Sequence, residues 1–194
     1  MSVLGKRRWL HVILAGLLVC AAPAAAATDA RLSRAKLFAQ QNAKALAKGD
    51  FKKISEMTHP AVAEKLGGYE QLARNLAFGS GQMAEQGVAI RRVSVKTPDE
   101  IITTADGLVT IIPMMLELAV PGGRLKKKSY LVAVSTDEGR TWTFIDGANL
   151  TLEALKKVLP SVPDTIKLPA REKAVFEKLE EAPPEPDADP AEGR

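Results

Sequence analysis

Residues 87–120 read GVAIRRVSVKTPDEIITTADGLVTIIPMMLELAV, and the spacing of apolar residues in this stretch decides the fold class. Upstream, apolar positions recur at helical spacing; from Gly87 onward they recur every second residue, the period of a strand. Val88 and Ile90 alternate one way, Val93 and Val95 the other. The parity flips at Arg91-Arg92, which predicts a bulge. Residues 101–104 are rich in β-branched side chains, and Asp106-Gly107 is a two-residue hairpin signal. From 108 to 120 both faces are apolar. One carries Leu108, Ile112, Met114, Leu116, Leu118 and Val120, the other Val109, Ile111 and Met115. Such a strand belongs at the centre of a sheet covered on both sides. Pro113 has no N–H, so it requires a bulge or an unpaired ladder position.

Further along, Pro121-Gly122-Gly123 turns the chain and residues 125–134 return, with Tyr130, Val132 and Val134 on one face. Residues 135–140 turn it again into a strand at 141–145. Leu152, Leu155 and Leu159 mark a short helix, capped from Asn149-Leu150-Thr151. Pro163 and Pro169 punctuate a connector, and residues 170–181 read as a marginal charged helix. Toward the N-terminus, Leu32, Ala35, Ala39, Asn42 and Leu46 predict a helix over 31–48. Gly49 ends it and Asp50 caps a second helix bearing Phe51, Ile54 and Met57. His59-Pro60 and Gly67-Gly68 punctuate; a third helix starts near Tyr69 and runs toward Gln86. Gly79 and Gly81 each cost about 1 kcal/mol in a helix, which predicts a break or a close-packing contact there. The expected fold is α+β: N-terminal helices packed on a curved antiparallel sheet of four to six strands, then a short C-terminal helix.

The two ends read differently. Lys6, Arg7 and Arg8 precede an apolar run from 9 to 22, then Pro23 and Ala24, Ala25, Ala26 and Ala27. A basic start, a short apolar core and an A-x-A end make residues 1–27 a secretory signal peptide, cleaved after Ala27. An uncleaved anchor is the alternative, though the second half of the run is only weakly apolar. Arg7-Arg8 is a weak twin-arginine match, and Cys20 reads as apolar filler rather than a lipidation site because branched Val19 precedes it. Loss of the three signal cations takes the 27 basic residues to 24 against 23 acidic ones, a charge of +1, and leaves His59 as the one histidine. The mature protein is then periplasmic or secreted, and a cysteine-free chain suits an oxidising compartment. Residues 180–194 hold six acidic residues, one basic residue and four prolines, and read as a disordered tail. Residues 28–160 are then the folded domain, and 161–179 a connector with the marginal helix.

At 194 residues the chain is too short for a propeller or a (β/α)₈ barrel. One cysteine excludes a disulfide framework and a cysteine-rich zinc site. There is no Walker loop, dinucleotide fingerprint, G-x-S-x-G or H-E-x-x-H, so no cofactor and no metal is expected. Arg91-Arg92, Arg124 and Lys126 to Lys128 form a basic set, but aromatics are only 5% of the chain, so nucleic acid is not an expected partner. A solvated strand edge explains these cations; contact with an anionic membrane surface or an acidic partner is the runner-up. A homodimer stays open.

Helix, Gly49-Asp50-Phe51, second helix, His59-Pro60, Gly67-Gly68-Tyr69, long helix, then a meander ending Trp142-Thr143-Phe144-Ile145-Asp146-Gly147: this order resembles the cone-shaped NTF2-like superfamily, which includes ketosteroid-isomerase-like proteins, and within it exported bacterial members. The resemblance covers about residues 30–160 and implies the α+β cone. It implies little about activity, because such cones host enzymes and non-enzymes. Some isomerases of the group use an acidic residue inside the cone, which makes Asp146 the candidate base, with His59 or Tyr69 assisting. The competing readings are that Asp146 caps a turn, His59 starts a helix and Tyr69 packs. Residues 135–142, STDEGRTW, match the Asp-box turn motif of sialidase-like propellers; one copy is a hairpin turn, not a sialidase. Met114, Met115 and Trp142 are the candidate ligand-lining residues, with plain core filling the favoured reading of the two methionines. The preferred expectation is a non-catalytic module that binds a small apolar ligand or an envelope protein. The alternative is a small isomerase- or hydrolase-like enzyme.

Overall fold

The computed structural model describes residues 24–178, and Gly87 divides it. Before Gly87 lie α1 (Ala24–Lys48), α2 (Phe51–Glu56), α3 (Pro60–Lys65) and α4 (Tyr69–Glu85); after it come β1 (Ala89–Val95), β2 (Ile102–Thr104), β3 (Gly107–Val120), β4 (Gly123–Ser135), β5 (Thr143–Asp146), α5 (Leu152–Lys156) and β6 (Val175–Lys178). The protein is α+β, with an open antiparallel sheet of six strands among the described residues. Signal residues up to Pro23, Cys20 included, and the tail from Leu179 lie outside the described residues. Ala24 to Ala27 begin α1, seven residues ahead of the expected start. No helix among the described residues is long and apolar enough to cross a membrane.

The two long strands β3 and β4 pair without interruption from Leu108↔Ser135 to Val120↔Gly123 and form the sheet's centre. Four shorter strands flank them. β1 and β2 share the outer edge of β3; β5 and β6 share the outer edge of β4. The expected bulge is present as a register shift between Ile90 and Arg92. Pro113 falls where β1 ends. Its carbonyl accepts from Lys96 N at 2.9 Å, so its hydrogen-free nitrogen also faces this edge, beyond the last β1 pair, Val95↔Met114.

Both faces of the centre are buried. On one, Ile112, Leu131, Trp142 and Phe144 pack beneath Ala35, Ala39 and Met57. The two alanines are fully buried, and their size lets α1 lie close to the sheet. On the other, Val109, Val132, Val134 and Ile145 pack beneath Leu155, Leu159, Val162 and Ile166. The chain after α5 is therefore a cover for this second face as well as a connector.

Three local expectations change. The expected helix over 170–181 is absent in its described part, residues 170–178: Val175–Lys178 is β6, paired from Lys126↔Val175 to Gly123↔Lys178. A marginal helix former yields here to the free edge of β4, and Glu177 reaches Arg124 at 2.9 Å and Lys126 at 2.7 Å. The β2–β3 hairpin turns on Ala105-Asp106 rather than Asp106-Gly107, because Thr104 pairs with Gly107, which opens β3 at φ +120°. Helix α4 runs unbroken through Gly79 and Gly81, and a Cβ at either would meet nothing within 4 Å. The predicted break and the predicted close contact are both absent.

Candidate functional site

Along the outer edge of β4, β6 stops at Lys126 and β5 begins at Leu131. The stretch between them has no strand neighbour on that side, and a cavity of about 500 Å³ sits at this gap. Pro113, Met115 and Tyr130 line it; Met115 pairs with Lys128 and Pro113 with Tyr130, so these residues share the face that carries Val132 and Val134. The 147–151 loop forms one wall and Pro169 to Glu172 another. The loop can lie on the floor because Gly147 has no side chain: a Cβ there would fall on the Tyr130 ring. Gly147 N donates to Tyr130 O at 3.0 Å, and Tyr130 Oη donates to Leu150 O at 3.5 Å. Burial, with Asp146 nearby, pushes the Tyr130 phenol above its ordinary range, so it stays neutral.

The rim is charged. Lys96, Lys127, Lys128 and Arg171 supply cations, and Glu172 supplies a carboxylate held by Lys128 Nζ at 2.8 Å. Ser129 also lines the cavity, and its Oγ is buried without a hydrogen-bond partner. Among the described residues no group of three or more histidine, cysteine or acidic side chains could hold a metal.

The structure scatters the proposed catalytic residues. Asp146 shares parity with Phe144 and pairs with Leu131, yet it is exposed where β5 ends, and its Oδ1 accepts from Ala148 N at 3.1 Å. It caps a turn. His59 is the N-cap residue of α3, without a side-chain capping bond; its N donates to Phe144 O at 2.9 Å. Its Nδ1 is buried with no partner, and burial lowers its pKa while Asp106 opposes that shift. Tyr69, at the first position of α4, is exposed rather than packed. None of the three lines the cavity. Of the proposed ligand residues, Met114 and Met115 do line it. Trp142 does not: it is 2% exposed beneath the Asp-box turn, where its Nε1 donates to Gly139 O at 3.2 Å.

That turn is built as its sequence predicts. Asp137 accepts from Thr141 N at 2.8 Å, Thr141 Oγ1 at 2.7 Å and Ser135 Oγ at 2.8 Å. These bonds hold its carboxyl down at about 2. Gly139 takes φ +89° and Arg31 of α1 donates to Glu138 O, so the turn also docks the helix. Sequence reading missed the walls of the cavity. Glu172 lies 44 positions from Lys128, and no local pattern links them. The acid-base complementarity of 170–178 with 124–128 was the available signal. No protein-family model matches this chain, and no curated protein or solved structure does.

Proposed function

We propose that the protein is an exported, non-catalytic member of the NTF2-like group that binds a small apolar ligand in the cavity between β4 and the 169–172 segment. The observation that carries this reading is the floor of Pro113, Met115 and Tyr130 in a space of about 500 Å³, within the range of ligand pockets, roughly 300–1,000 Å³. Family membership is supported by the element order, helices first and antiparallel sheet after. The ligand site then differs from a cone-interior site, because the space between α1 and the sheet is filled by Ile112, Leu131, Trp142 and Phe144. The enzyme reading needs a carboxylate in a closed pocket beside a second polar group, and exposed, turn-capping Asp146 does not supply it. Export rests on residues 1–27. Cleavage after Ala27 would leave Asp29 in the first turn of α1, a favourable place for a carboxylate.

Native mass spectrometry of protein purified from its own envelope tests binding. The expected spectrum shows an adduct of small-molecule mass, absent from Met115→Trp, whose indole obstructs the cavity floor. A bare chain that also fails to take up neutral N-phenylnaphthylamine would sink the reading. N-terminal sequencing checks export: Thr28 is the expected first residue, and Met1 on a cytosolic protein contradicts it.

A further inference from the structure

We infer that the ligand is a single-chain amphiphile with one anionic head group, its chain on the Met115–Tyr130 floor and its head at the Lys96–Lys128–Arg171 rim. This rests on the cavity being the binding site. Four basic residues, Lys96, Lys127, Lys128 and Arg171, line the cavity and one carboxylate, Glu172, answers them. Glu172 is engaged by Lys128 alone, while Lys96 and Arg171 have no acidic partner among the described residues. An apolar pocket with surplus positive charge at its mouth is complementary to an apolar body carrying a negative end. A neutral ligand would leave that surplus unanswered, and a cationic one would add to it. Glu172 marks the place. It already puts carboxylate oxygens at 2.8 Å and 3.1 Å from Lys128 Nζ, which is the contact a ligand carboxylate would make. The pair is half-exposed, with side chains 62% and 52% accessible, so the exchange asks little of the fold. Glu172 is therefore a competitor for the head-group position, and removing it frees Lys128.

The test is calorimetric titration of the full exported chain with dodecanoate and dodecanol below micellar concentrations, in wild type, Lys128→Gln, Glu172→Gln and Met115→Trp. Dodecanoate is expected to bind about tenfold tighter than dodecanol. Lys128→Gln should narrow the gap between the two. Glu172→Gln should tighten dodecanoate and leave dodecanol unchanged, which loss of packing would not do. Equal affinities for acid and alcohol, both abolished in Met115→Trp, would overturn the anionic head group and leave the pocket standing. Binding of neither, or binding indifferent to Met115→Trp, would overturn the pocket reading and this inference with it. Co-sedimentation with phosphatidylglycerol vesicles without dodecanoate binding would assign the cations to a membrane surface and also overturn it.

Discussion

Asp137 organises its turn through one short-range set of acceptors, all of whose partners lie within four residues. Asp137→Ala removes them together and should cost about 1–3 kcal/mol in urea unfolding. The folded carboxyl titrates at about 2 against an ordinary 3.8. Its stabilisation is present above 3.8 and fades as pH falls through 2, so the gap between wild type and variant should close over that window. His59 has the opposite chemistry. Burial disfavours its cation, so the unfolded chain takes the proton first as pH drops below the ordinary 6.5. The urea midpoint should fall between about pH 7 and 5.5 in wild type and stay level in His59→Gln. The Asp-box was legible because its bonds are local. The link between Asp106 and Ser161 was not: Ser161 N donates to the Asp106 carboxylate at 2.8 Å across 55 positions. That long-range bond ties the β2–β3 turn to the chain after α5.

At the scale of elements, helix α4 keeps two glycines that nothing in its surroundings requires. Their φ values are helical and the space beside them is open. Gly81→Ala should therefore stabilise the protein by about 0.5–1 kcal/mol, read as a higher denaturation midpoint at unchanged slope. The period change at Gly87, the bulge near Arg91 and the two-sided burial of β3 could be read in advance, because each is written in the alternation of neighbouring residues. Strand β6 could not. Its exposed Val175 and Phe176 give no alternating burial, and its place depends on an edge supplied by β4. Ion pairs from Glu177 to Arg124 and Lys126 help hold it there. Raising ionic strength from about 0.05 M to about 1 M shortens the screening length to about 3 Å. Amide hydrogen exchange in β6 should then accelerate, while β3 amides keep their protection.

Across the whole molecule, one chain covers both sheet faces, first with α1 and later with residues 152–168, and the cavity appears where the second cover thins out. The two faces could be inferred from β3 alone; the cavity needed the return of residues 169–178. That return has a kinetic side. The β3–β4 hairpin closes around Pro121-Gly122, whereas β6 must find β4 across separations such as Lys126 to Val175. Short loops close sooner than long ones, so the hairpin forms early and β6 docks late. Pulse-labelled exchange during refolding should find β3 and β4 amides protected before those of β6. Until β6 docks, the edge of β4 from Gly123 to Lys126 stands unpaired, and a strand edge left open that long is where two folding chains can meet.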